Sequence, residues 1–241
     1  MPIIDGEMRK EAIDAGRYAM VRGLAQDEAF RDVPAGVLQT LVDEASIDEA
    51  SKGHVVYDAG EQWSKLGFVV DGCIAMIAQG DDAKEHLYEH TYAGQFFGVS
   101  AMFDGGPEMA RTLVVSSKAR YATIPSDTVM SLCKQHGALA VAFAITLARR
   151  LRRTTGLLAD QVNLTAQQRI ARYLLTFSTA DDMAPASEPL PLMTQAQIGA
   201  AAGTVKDVAS RTIGMFEREG ALKRERGNIT WLDRSRLREL S

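Results

Sequence analysis

The chain has 241 residues, 46% of them apolar, with 27 Lys+Arg against 31 Asp+Glu and a net charge of −4. That apolar content supports one large or two modest cores, and no run of about 18 apolar residues marks a membrane span. Two cysteines, Cys73 and Cys133, are too few for a disulfide framework or an all-cysteine iron–sulfur cluster.

The N-terminal stretch "MPIIDGEMRKEAIDAGRYAM" carries charges inside its apolar positions and does not read as a secretory signal, so a reducing cytoplasm is the expected location. Residues 6–50 read mostly as helices. Between Gly53 and Pro125 the texture changes to short apolar or alternating runs, "HVVYDAG", "KLGFVVDG", "CIAMIAQG", "KEHLYEHTYAG" and "RTLVVSSKARYATIP", punctuated by Gly and Asp. That is the pattern of a small all-β barrel or sandwich.

From Ser126 to Leu164 there is no proline. Val141, Ala144, Ala148, Leu151, Thr155, Leu158 and Val162 recur there at alternating spacings of 3 and 4. This is the narrow seam of a coiled coil, and the partner expected for it is a second copy of the chain. The competing reading packs the helix on its own β domain. A helical run follows at Ala166–Phe177, then a polar, proline-rich connection, "STADDMAPASEPLPL", from Ser178 to Leu192.

Charge divides along the same lines. Residues 1–148 hold 12 Lys+Arg against 21 Asp+Glu, and residues 149–241 hold 15 against 10. An acidic body joined to a basic end implies two domains with different tasks.

The basic end carries "MTQAQIGAAAGTVKDVASRTIGMFEREGAL", Met193 to Leu222. Thr194 with Gln197 three residues on is a capping-box pattern for a first helix over about 195–202, with Ile198 and Ala201 inward. Gly203 suits a sharp turn, Thr204 reads as the cap of a second helix, and Gly220 ends that helix near Glu219. Val208, Ala209, Ile213 and Phe216 form its expected buried side. Lys206, Asp207 and Arg211 lie near its N-terminal end on the other side. A helix in the DNA major groove needs donors and acceptors in its first two turns. Arg211 suits guanine O6/N7, Asp207 suits cytosine N4 and can brace Arg211, and Lys206 reaches a guanine or a phosphate. A terminal hairpin, "ALKRERGNITWL", turns near Arg226–Gly227–Asn228 and sets Lys223, Arg224 and Arg226 along the phosphate backbone. A solvated charged face on an ordinary helical hairpin is the plainer alternative.

On these residues the chain resembles the cyclic-AMP receptor protein/fumarate–nitrate regulator (CRP/FNR) superfamily of bacterial transcription factors from about Pro34 onward. "TQAQIGAAAGTVKDVASR" is similar to the family's T-x-x-x-I-G-x-x-x-G-x-x-x-[ED]-x-x-[GS]-R pattern, with Asp207 and Arg211 at the base-reading acid and arginine. Lys206 falls where an arginine is common in the receptor-protein branch. "DAGEQWSKLGFVVDGCIAM" and "GQFFGVSAMFDGG" resemble its β strands, and "LARRLRRTT" its dimerisation helix. The resemblance implies an α+β fold: an N-terminal cyclic-nucleotide-binding-like β-roll, a long dimerisation helix and a C-terminal winged helix-turn-helix. The expected boundaries are a helical extension at 1–28, the roll at 29–137, the dimerisation helix at 138–164 and the DNA-binding domain at 165–241. It further implies a homodimer on double-stranded DNA with a palindromic site, contacted through Thr194, Thr204, Val205, Lys206, Asp207, Arg211, Lys223, Arg224 and Arg226. RNA polymerase is a further partner that the family suggests, and no membrane is involved.

The sensor site departs from the family. A cyclic nucleotide needs a Glu for the ribose 2′-hydroxyl and an Arg with a neighbouring Ser or Thr for the phosphate. Val99 stands at the Glu position, and Met109 and Ala110 stand at the Arg and Ser positions. An Arg111–Thr112 pair follows two residues late, on the same strand face as the lost pair. Thr154 and Thr155 match two hydroxyl positions that meet adenine in the receptor-protein branch. The expectation is no cofactor, no cyclic-AMP dependence, and another ligand or none. The alternatives are cyclic AMP held by Arg111–Thr112 and a haem or other-ligand sensor. His86 and His90, four apart in a predicted strand, read as surface polar residues, and Cys73 and Cys133 as small core residues. No nucleophile–base pair, P-loop or Rossmann fingerprint supports an enzyme. A C-terminal module that binds a protein instead of DNA would not need two cations where a helix dipole opposes them.

Overall fold

A computed structural model describes residues 2–79, 85–107, 110–114, 116–175, 194–225 and 228–241. Met109, Arg226, Gly227 and the connection Ser178–Leu192 lie outside the described residues. The chain divides into two compact units, one of residues 1–78 and 89–152, the other of residues 79–88 and 153–241.

The first unit begins with helix α1, Pro2–Gln26, followed by a 3-10 turn, Glu28–Phe30, and helix α2, Ala35–Asp43. Strands β1 (Ser46–Ser51), β8 (Lys118–Pro125), β3 (Lys65–Asp71) and β6 (Phe96–Phe97) form one sheet in that order. Strands β2 (Val55–Tyr57), β7 (Arg111–Val114), β4 (Cys73–Gln79) and β5 (Glu85–Tyr92) form the other. The pairings β1–β8, β3–β8, β3–β6, β2–β7 and β4–β7 are antiparallel. Helices α3 (Val99–Asp104), α4 (Ser126–Gln135) and α5 (Gly137–Asn163) complete the order up to the second unit.

The alternation of strands explains two cores. Strand β3 is apolar and buried from Leu66 to Val70, between the exposed Lys65 and Asp71, because both its faces are covered there. Leu66, Phe68 and Val70 face a cluster built with Met20 and Leu24 of α1, α2, α4 and the start of α5. Val69 faces a second cluster inside the roll, with Tyr57, Ile74, Phe97, Val114, Ala119 and Tyr121. Strand β8 divides in the same way, Ala122 and Ile124 to the first cluster and Ala119 and Tyr121 to the second.

Phe143 anchors α5. Its ring meets Phe30 at 5.6 Å, Phe96 at 5.4 Å and Phe103 at 5.9 Å, near edge-on in each case. Such geometry suits the quadrupoles of aromatic rings. On the opposite side of α5, Val141, Ala144, Ala148, Leu151, Thr155, Leu158 and Val162 are all exposed. Leu151 is 69% exposed and Val162 85%.

Two sequence expectations are corrected in this unit. Residues 46–51 form an edge strand, not helix: Ile47 packs toward the helical core and Ala50 toward the roll interior, too short an apolar pattern to announce a strand. Within the proline-free stretch, α4 and α5 meet at a bend of 117° at His136, whose φ −130 ψ 88 leaves the helical region. His90 is buried at 5% exposure, not at the surface. The side chain of His86 lies outside the described residues. Cys73 and Cys133 are buried, and burial pushes the Cys73 thiol up to about 12.

The second unit holds helices α6 (Ala166–Leu175), α7 (Gln195–Ala201) and α8 (Lys206–Arg218), the hairpin of β9 (Leu222–Glu225) and β10 (Asn228–Leu232), and a helix not foreseen, α9 (Arg234–Glu239). Asp233 caps α9 by accepting from the Arg236 N–H at 3.0 Å, and Leu237 buries its inner side. Ile170, Leu174, Ile198, Ala209, Ile213 and Phe216 form the core. Among the described residues no single helix is long and apolar enough to cross a membrane.

Candidate nucleic-acid interface and sensor site

Helix α6 opens with a reciprocal cap. The Thr165 hydroxyl accepts from the Gln168 N–H at 3.3 Å, and the Gln168 side chain accepts from the Thr165 N–H at 3.1 Å. The signal for this capping box is the T-x-x-Q spacing of Thr165 and Gln168, the same spacing as Thr194 and Gln197. Thr194 directly precedes α7 and its carbonyl accepts from Ile198 N–H at 3.0 Å. The side chain of Gln197 lies outside the described residues.

The turn between α7 and α8 rests on Gly203, whose φ of +62 is open to glycine at little cost. Thr204 is not the helix cap. Its N–H donates back to the Gly199 carbonyl at 2.8 Å and so belongs to the turn, while Val205, extended at φ −82 ψ 155, is the N-cap. Val205 offers no side-chain acceptor, so the first N–H groups of α8 keep their donors for a partner. Helix α8 ends in the Schellman arrangement: Ala221 N–H reaches the Phe216 carbonyl at 2.8 Å and Gly220 N–H the Glu217 carbonyl at 3.1 Å.

Ala209, Thr212, Ile213 and Phe216 are the buried side of α8. Val208 is only half-buried, and Thr212 takes part in its place, one residue from Ile213 on the inner face. Val205, Lys206, Asp207 and Arg211 are exposed together at the N-terminal end. The Arg211 Nε donates to the main-chain carbonyl of Asp207 at 3.3 Å rather than to its carboxylate, which leaves that carboxylate available as an acceptor.

Hairpin alternation separates the two basic residues of β9. Lys223 is exposed, while Arg224 is half-buried and donates through Nε to Glu217 of α8 at 2.9 Å, with a second bond from Nη2. The Arg224 hydrogen bond holds the Glu217 carboxyl below its ordinary range. Arg224 thus ties the hairpin to α8. Arg226 lies outside the described residues.

In the first unit, Gly98 begins α3, and Val99 is fully buried against the helical core. The Trp63 indole lies across Gly98: a Cβ there would come within 2.7 Å of Trp63 Nε1. Trp63 also stacks on Tyr57 at 4.7 Å and lies 6.5 Å from Phe97. Trp63 therefore packs over Gly98 as part of the aromatic cluster inside the roll. Ala110 is fully buried, and Met109 lies outside the described residues.

Arg111 and Thr112 are neighbours on β7 and face opposite ways. Arg111 is exposed, and its Nε donates to Asp58 at 2.8 Å. That bond holds the Asp58 carboxyl below its ordinary range. Thr112 is 2% exposed, opposite Tyr57 on β2 and Met76 on β4, and its hydroxyl has no hydrogen-bond partner among the described residues. Thr154 and Thr155 are exposed on the part of α5 that belongs to the second unit. Among the described residues no group of three or more His, Cys, Asp or Glu could hold a metal ion.

A model of the cyclic nucleotide-binding domain matches residues 47–136, and one of the Crp-like helix-turn-helix domain matches residues 168–240. The CRP-like cAMP-activated global transcriptional regulator of Mycobacterium tuberculosis is 24% identical over 218 residues, 89% of this chain and 96% of that protein. The cAMP-activated global transcriptional regulator Vfr of Pseudomonas aeruginosa is 26% identical over 174 residues, 70% of this chain and 81% of that protein. The solved structure of FixK2 from Bradyrhizobium japonicum shares the fold, with a TM-score of 0.71 at 19% identity over 82% of this chain and 97% of that one.

Proposed function

This chain is a DNA-binding transcription regulator of the CRP/FNR superfamily, and we propose that it acts as a homodimer whose roll has given up cyclic nucleotide. The observation that carries the DNA reading is the exposed group Lys206, Asp207 and Arg211 at the unencumbered N-terminal end of α8. Arg211 reads guanine and Asp207 reads cytosine, while Thr194, Thr204, Val205 and Lys223 contact the backbone or flanking bases. The partner of the dimer is a second copy, joined through the exposed seam from Val141 to Val162. A two-fold dimer then takes a palindromic site with half-sites about one helical turn apart.

For the effector, the buried Val99 and Ala110 and the Arg111–Asp58 pair support the absence of cyclic-nucleotide contacts. A hydrogen bond to a charged group contributes about 1.5–3 kcal/mol, so losing two weakens cyclic AMP by roughly 10²- to 10⁴-fold. The roll answers to a less anionic ligand or to none. A second reading, in which Arg111–Thr112 holds the phosphate, is favoured only by the unpartnered Thr112 hydroxyl. It requires Arg111 to leave Asp58. Selection from a random DNA pool by the purified protein, with and without cyclic AMP, tests both. A palindromic sequence recovered equally in either condition is expected. No enriched sequence would sink the DNA reading. Micromolar cyclic-AMP binding in calorimetry, abolished by Arg111→Ala, would establish the second reading of the roll.

A further inference from the structure

The helix–turn–helix turn is not held by its own helices alone. Arg169, in the first turn of α6, spreads one guanidinium over three main-chain carbonyls. Its Nε donates to Ala202 at 2.7 Å, its Nη2 to Gly203 at 3.1 Å, and its Nη1 to Leu164 at 2.8 Å. Ala202 and Gly203 follow the last residue of α7, where carbonyls lack helical partners. Leu164 follows the last residue of α5. One cation therefore bridges the end of the long helix and the turn that aims α8.

Two neighbours support the same junction. A Cβ on Gly203 would come within 3.0 Å of the Gln161 side-chain amide, so the turn lies directly on the last turn of α5. Arg172 of α6 donates to Asp160 of α5 at 2.5 Å. Three donors in a rigid plane suit this task, which a lysine ammonium on a flexible stem cannot perform. The placement also sets positive charge at the C-terminal end of α7, where the helix dipole welcomes it.

We propose that Arg169 is the positioning residue that locks the helix–turn–helix turn to the C-terminal end of α5, so that α8 moves with the long helix. Sequence-specific binding by the dimer requires both reading helices to enter the groove at a fixed separation. Without the clamp, each α8 keeps its own base contacts but loses its set distance from the other. The inference rests on the homodimer reading above.

The test uses the full-length protein with Arg218→Cys at the exposed end of α8, carrying a nitroxide. Cys73 and Cys133 are buried and react slowly. Pulsed electron paramagnetic resonance measures the distance between the two labels in the dimer. The expected result is a narrow distribution for this protein and a broad one after Arg169→Gln, with dimerisation unchanged. The ratio of affinity for the selected site to affinity for random DNA should fall about tenfold, and Arg169→Lys should fall between. If Arg169→Gln does not fold, Arg169→Lys must by itself broaden the distribution. An unchanged distribution, or equal loss on selected and random DNA, overturns the proposal, since a purely structural arginine would weaken both alike. A monomeric starting protein overturns the homodimer reading instead, and the distance within one chain from the Arg218→Cys label to a second label at the exposed Val162→Cys on α5 then decides the clamp: a distribution that stays narrow after Arg169→Gln overturns it.

Discussion

Helix α8 and the roll treat the family's polar positions in opposite ways. On α8, Lys206, Asp207 and Arg211 stand in solvent on the side away from the buried Ala209, Ile213 and Phe216. In the roll, the positions of the acid and the arginine's neighbour are Val99 and Ala110, both fully buried, and Trp63 packs against Gly98 just before Val99. The difference teaches how each kind of site fails. A surface that meets an external polymer works residue by residue and survives substitution in parts. A buried anion site needs all its partners at once, because an unpaired charge in the interior is costly.

The largest expected effect falls on the proposed dimer seam of α5. Leu151→Glu places a charge in that seam, and sedimentation should show monomers. DNA affinity should drop to the non-specific level, about 10³-fold or more. An intact dimer would break the comparison, since the two reading helices would then be paired by some other surface. Next comes Phe143→Ala, which removes the ring that holds α5 to Phe30, Phe96 and Phe103. Thermal or urea unfolding should show a loss of about 3–5 kcal/mol. A loss below about 1 kcal/mol would mean that this face of α5 is not anchored as described.

Arg211→Ala sharpens the contrast on the reading helix. It should cost about 1–3 kcal/mol on the selected site and relax preference at one base pair, while Arg226→Ala weakens all sequences alike and lowers the salt slope by about 1. Titrations on matched and mismatched duplexes at several salt concentrations separate the two. The smallest effect concerns the Arg224–Glu217 tie. The folded carboxyl lies below its ordinary range, so the stabilisation is complete above the unfolded glutamate's titration and is lost as pH falls through the folded one. Melting curves of Glu217→Gln and the unaltered protein should differ slightly at neutral pH and converge in acid. A difference that persists at low pH would show that the tie acts through packing, not charge.

Much of this molecule follows from local rules that a sequence carries openly. A short apolar run gives β3, the glycines at positions 203 and 220 give the turn and the stop around α8, and 3,4 spacing gives the exposed side of α5. Each depends on residues close together in the chain, so the pattern is the cause. Strand β1 is not legible in this way because its reason lies in what packs on it. Side-chain roles escaped for the same cause. Arg111 pairs with Asp58 53 residues away, and Arg169 clamps carbonyls 33 and 34 residues away. The sequence by itself determined most of the elements and the exposed charged end of α8. Only the tertiary structure decided which arginines are spent inside the fold, because an ion pair or a clamp is a meeting of distant residues that no spacing records.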